Sequence, residues 1–207
     1  MRRPAILAAT LALTLALCRA ATAGLLFDLS GGATGYSVGA DSTAGFSFSV
    51  DAPITVGALA FWDEGADGLG CSHDVGLWTA AGTLLRTVTV TTLSPAAGSG
   101  SLDGRWLYEA VAPLPLGPGS YVIGAFFRAD DASDPARLGT TVASDAGAVF
   151  GEVRWLLQGA GAAFPADAVA GIDAGFFGPN LLLLPAPAPA GAMAAALALL
   201  LLARRRG

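Results

Sequence analysis

Phe46-Ser47-Phe48-Ser49-Val50 alternates apolar and polar without a break. A strand with one face buried and the other wet has this period of two. The same period runs outward in both directions, and no stretch of period 3.6 interrupts it between residues 24 and 180. Pro53, tolerated where a strand starts, opens an apolar stretch over 54–62. Val75-Gly76-Leu77-Trp78 and residues 84–90 flank Thr79-Ala80-Ala81-Gly82-Thr83, a short hairpin loop with the glycine such turns need. A Gly/Ser/Pro loop over 94–104 leads into a strand from Trp106 to Val111, and 113–119 reads as a turn-rich connection. Tyr121-Val122-Ile123-Gly124-Ala125-Phe126-Phe127 is almost wholly apolar, as a central strand is. Residues 148–157 and 172–177 are weaker strands between Gly/Ala/Asp loops. Strands punctuated by turns in this way predict an all-β domain over 24–180, an antiparallel β-sandwich of jelly-roll type.

Both ends of the chain carry targeting patterns. Arg2 and Arg3 precede an apolar run from Pro4 to Leu17, and Ala21-Thr22-Ala23 is an A-x-A cleavage site. Residues 1–23 therefore read as a signal peptide, with the mature chain starting at Gly24. Cys18 is not a lipoprotein site, because Leu17 stands where a lipobox needs a small residue. At the other end, residues 181–207 combine three prolines spaced two apart (Pro185, Pro187, Pro189), an uncharged run over 190–203, and Arg204-Arg205-Arg206. As a helix that run covers about two-thirds of a ~30 Å hydrocarbon core. The arginines would hold the C-terminus in the cytoplasm. The order of Pro187-Ala188-Pro189-Ala190, short apolar segment and terminal arginines resembles the PEP-CTERM sorting tail of bacterial surface proteins. Ala188 stands where that family usually has glutamate. The resemblance implies an exosortase as processing partner. The protein would be exported through the inner membrane, held there by its C-terminal helix, then passed to the cell surface or extracellular matrix.

A second resemblance covers about 54–127. Its carriers are His73-x-x-x-Leu77-Trp78, Gly82-x-Leu84-Leu85, Arg105-Trp106 and Pro113-x-x-Leu116-x-x-Gly119-x-Tyr121-Val122, led in by Asp63-Glu64-Gly65-Ala66-Asp67. This pattern is similar to uncharacterised bacterial β-sandwich domains on secreted and carbohydrate-active proteins. It implies a sandwich and a surface setting, and it brings no catalytic residues.

Between the two targeting segments lie all sixteen acidic residues but only Arg86, Arg105, Arg128, Arg137 and Arg154 as bases, a formal −11 against −5 for the whole chain. So acidic a domain repels nucleic acid and anionic lipid. The Asp63-Glu64-x-x-Asp67 cluster sits at a strand end beside glycines, and Asp130-Asp131-x-x-Asp134 follows another strand. Asp63, Asp67 and Asp134 converging at one pole would offer hard oxygen ligands to Ca²⁺. Aspartate and glycine also make plain exposed turns.

His73 is the single histidine, and no serine lies in a nucleophile-elbow context, so the chain does not read as an enzyme. Cys71 loses its one possible partner, Cys18, with the signal peptide, and reads as structural. Among the tryptophans, Trp62 and Trp78 have core-like neighbours. Trp106 and Trp155, each following an arginine, are the expected sugar-stacking surface rings. Two functions follow. One is a structural or interaction protein of the exopolysaccharide layer and biofilm. The alternative is a carbohydrate-binding module, with Ca²⁺ as an assisting ion and extracellular polysaccharide as partner.

Overall fold

The alternation over 46–50 does form a strand, Ser42–Val50, with Ala44, Phe46, Phe48 and Val50 buried. The computed structural model describes residues 24–36, 41–97, 103–130, 136–138, 141–144, 147–157, 160–170 and 178–185. The signal segment 1–23, the 172–177 stretch, Asp134, and the tail with Pro187, Ala188, Pro189, Ala190, Arg204, Arg205 and Arg206 lie outside the described residues. The described chain is all-β, with antiparallel sheets and no helix.

In chain order the strands are β1 (Gly24–Leu25), β2 (Asp28–Ser30), β3 (Ala33–Tyr36), β4 (Ser42–Val50) and β5 (Ile54–Glu64). Next come β6 (His73–Thr79), β7 (Leu84–Val90), β8 (Ala96–Ala97), β9 (Gly104–Leu116) and β10 (Gly119–Phe127). The last are β11 (Ala136–Leu138), β12 (Thr141–Ala143), β13 (Ala148–Leu157), β14 (Asp167–Ala168) and β15 (Pro179–Leu183). A six-stranded sheet has the order β14-β13-β4-β10-β6-β7, and a five-stranded sheet the order β1-β15-β5-β9-β8. Two small sheets pair β11 with β3 and β12 with β2.

One apolar core joins the two large sheets. Phe27 meets Phe46 and Phe48 edge-on at 5.6 and 6.3 Å, and Phe61 of β5 meets Phe127 of β10 at 5.4 Å. Edge-to-face pairs set the positive ring edge against the negative face, which fixes how the rings interlock. The apolar run over 121–127 lies in β10, flanked by β4 and β6 on its two sides, as its composition predicts. The hairpin between β6 and β7 closes with Thr79 N donating to Thr83 O (2.9 Å) and Gly82 in the left-handed region at φ 85°.

Two of the boundaries that differ from the sequence reading change how the sheet is built. The first is at 113–116, expected to turn but continuing as the end of β9. Pro115 pairs with Thr55, whose carbonyl accepts from Leu184 N on the far side of β5 (2.8 Å). The Pro115 nitrogen therefore faces away from β5, toward an open sheet edge where no ladder bond is lost. A proline at this edge discourages another strand from adding there.

The second is the start of the tail. The sequence reading assigns residues 181–184 to the tail segment, but β15 inserts between β1 and β5. Leu181 is fully buried, and the Asn180 amide bridges Phe27, donating to its carbonyl (2.8 Å) and accepting from its N–H (3.4 Å). The compact β unit is Ala23–Leu184, not 24–180, because the leucines after Asn180 have a core to enter.

Candidate functional site

β5 ends in two carboxylates, and neighbouring residues of a strand point to opposite faces. Asp63 is fully buried. Its Oδ2 accepts from Arg105 Nε at 2.7 Å, Arg105 being its register partner on β9. Its Oδ1 accepts from Gly68 N at 3.1 Å and so closes the turn after the strand. Glu64, on the other face, accepts from Arg137 Nε and Nη2 at 2.7 Å each, a bidentate pair. Trp62 Nε1 donates to the same carboxylate at 2.5 Å. The Arg137 guanidinium also lies 5.8 Å from the Trp62 ring centroid and donates to Gly31 O at 3.2 Å.

This arrangement redirects the calcium expectation. Asp63 is a buried ion-pair partner, while Asp67 is exposed on the turn. Asp74 accepts from Thr89 Oγ1 at 2.6 Å, and Asp130 holds Arg128 at 3.0 and 3.1 Å, raising the guanidinium pKa further above its ordinary value. Among the described residues no group of three or more His, Cys, Asp or Glu is placed to hold a metal ion. Asp63→Ala should therefore lower the melting temperature by the same amount in EDTA as in Ca²⁺. A loss confined to the Ca²⁺-loaded protein would make Asp63 a ligand instead.

His73 is fully buried with its ring stacked on Phe61, 3.7 Å between centroids and 9° between planes. Its Nδ1 lies 2.9 Å from Phe126 O; a carbonyl can only accept, so Nδ1 carries the proton. Nε2 faces Cys71 Sγ at 3.9 Å.

The tryptophans depart most from expectation. Trp106 is not a surface ring: it is 1% exposed and packs edge-on against Trp62, its register partner, at 5.0 Å. The pleat places this pair on the side of β5 and β9 opposite Phe61 and Leu107, and β11 brings Arg137 over it. Trp106, read as a surface ring, is thus covered by a segment far along the chain. Trp155 is half-buried against the core, beside Ala44. Trp78, read as core, is 3% exposed, but its neighbour Leu77 is the residue that enters the core between the sheets. The Trp78 ring lies on the outer face of the six-stranded sheet, against Phe164 at 6.3 Å. No protein-family model, curated protein or solved structure matches this chain.

Proposed function

We propose that this is an exported surface protein whose jelly-roll-like β-sandwich is delivered by a sorting tail of the PEP-CTERM kind. An exosortase reads the tail, and the domain serves as a structural or interacting component of the exopolysaccharide layer. The observation that carries this reading is where the folded unit starts and stops. The compact unit is Ala23–Leu184, so in sequence the apolar run over 4–17 precedes it, and Pro187, the run over 190–203 and the terminal arginines follow it. The folded unit takes in the first four residues of the tail segment, 181–184, and stops short of its Pro187-Ala188-Pro189-Ala190 motif.

The reading is of a structural or binding protein, not an enzyme. Its test is cell fractionation of a strain that carries the processing enzyme. Replacing Arg204, Arg205 and Arg206 by alanine should leave an unprocessed, mislocalised chain, whereas the unaltered chain reaches the surface. Equal surface display of both would remove the tail from the delivery route. Carbohydrate binding, the second reading, cannot use the enclosed Trp106. It is favoured by the outer face of the six-stranded sheet, where Trp78 lies.

A further inference from the structure

Strand registers bring both ends of the folded unit to one pole. Gly24 of β1 pairs with Leu183 of β15, so the chain enters beside the point where it leaves. Three connections lie at the same pole: 51–53 between β4 and β5, 80–83 between β6 and β7, and 117–118 between β9 and β10. Registers tie them together, Gly119 to Val50, Tyr121 to Thr79 and Ile54 to Leu116. β13 starts here as well, Ala148 being a partner of Val50.

Charge is divided unevenly between the two poles. On these connections and chain exits, Asp51 is the one charged side chain among the described residues. Asp41, Asp63, Glu64, Asp67, Asp103 and Asp130 stand at the opposite pole, where β4 and β9 start and β5 and β10 end. Arg105, Arg128 and Arg137 offset only part of that charge.

The sparsely charged pole also exposes apolar side chains. Leu84, Val149 and Leu184 are 51%, 56% and 38% exposed. Leu84 and Val149 lie on strands four places apart in one sheet, about 19 Å at ordinary strand spacing, and Leu184 follows a strand of the other sheet. Side chains spread this widely do not line a peptide groove; they suit a flat, extended partner. The chain beyond the unit says which one. Residues 185–189 alone separate Leu184 from the uncharged run over 190–203, and 18–23 alone separate the run over 4–17 from Gly24. Five extended residues reach at most about 18 Å, and six about 22 Å. A bilayer that holds either run is therefore within reach of this pole. The charge distribution agrees, since carboxylates and anionic lipid repel one another and the carboxylates are grouped away from the exits.

We infer that this pole is a membrane-docking surface, resting on the lipid headgroups of the bilayer that holds the terminal runs. The inference rests on the proposed reading of the tail as a membrane segment. Leu84, Val149 and Leu184 meet the interface, and the acidic pole points away from lipid. The apolar area is small, and the tether makes up for it. A short linker holds the pole at an effective concentration of about millimolar, so a contact too weak to hold a free domain holds a tethered one. Cutting the tail then releases the domain from the membrane.

The test uses the full chain in phosphatidylcholine vesicles with no processing enzyme present. In a Cys18→Ser, Cys71→Ser background, a fluorophore is attached at Ala52→Cys on the docking pole or at Asp67→Cys on the acidic pole, both exposed loop positions. A lipid with a nitroxide headgroup is the quencher. Quenching at Ala52→Cys should exceed that at Asp67→Cys several-fold. Gly/Ser linkers of about twenty residues, placed before Ala23 and after Pro185, let the unit drift by about 25 Å. The excess should survive these linkers, and Leu84→Glu with Val149→Glu should then remove it. Both positions are exposed, and circular dichroism melts check that the double variant stays folded. The proposal is overturned by equal quenching at the two poles, by loss of the excess with the linkers alone, or by its persistence in the double variant. Energy transfer between copies labelled at Ala52→Cys would overturn it too, making a second chain the occupant. A chain that is sorted and processed in cells but shows equal quenching overturns this surface and leaves the delivery route standing.

Discussion

Ending the chain after Asn180 should abolish cooperative unfolding, whereas ending it after Pro185 should preserve the native transition. β15 is an interior strand, bonded to β5 on one side and β1 on the other. Its removal opens the β5 edge, strips β1 of its only partner among the described residues, and leaves a channel where Leu181 was fully buried. A buried leucine cut back to alanine costs about 2–5 kcal/mol through lost transfer energy and the cavity left behind. Loss of the strand takes away that burial, the backbone ladder and the Asn180 bridge to Phe27 together. A domain of this size is stable by only about 5–15 kcal/mol, so the sum exceeds what it can lose. Circular dichroism melts of the two truncated chains decide the point. A sharp melt for the shorter chain would mean that β15 is dispensable and that the tail starts at 181 after all.

Arg137→Ala should be strongly destabilising. The Arg137 side chain is 7% exposed and Glu64 16%, so removing the cation leaves a largely enclosed carboxylate facing Trp62. Breaking such a buried pair costs about 3–5 kcal/mol. For a chain of this length that is a fall in melting temperature of about 6–20 °C, at roughly 2–4 °C per kcal/mol. The double change Glu64→Gln with Arg137→Met should recover a large part of the loss, since no buried charge is then left alone. Arg128→Ala is the control: its pair with Asp130 is exposed on both sides, and the melting temperature should scarcely move. Equal effects at Arg137 and Arg128 would show that enclosure of the pair contributes nothing.

Strand positions were legible because alternation is a local signal. The pattern over 46–50 and the apolar run over 121–127 both carried through to the folded chain as the neighbouring interior strands β4 and β10, although β4 has no exposed residue on the face that alternation reads as wet. The hairpin loop at 79–83 was equally local. What the sequence hid was which distant segment covers which face. Trp106 follows Arg105 at a strand entry and looks exposed, until β11 arrives from thirty residues further on. Asp63 and Asp67 look alike as turn aspartates, yet only Asp63 has an arginine opposite it on the neighbouring strand. β15 was masked by its own hydrophobicity, because four leucines before a proline-rich tail suit a membrane segment as well as a core strand. Gly45, Gly124 and Gly76 pair in one row across β4, β10 and β6. Their alignment into one line depends on register across three strands, which no local pattern carries.

The central claim is that a β domain ending at Leu184 lies between two removable targeting segments. Intact mass spectrometry of the surface-exposed protein tests it most directly. The account predicts one species that begins at Gly24, retains Leu184, and lacks the run over 190–203 and the terminal arginines. A surface species that still carries Arg204-Arg205-Arg206, or that has lost residues of β15, would contradict it.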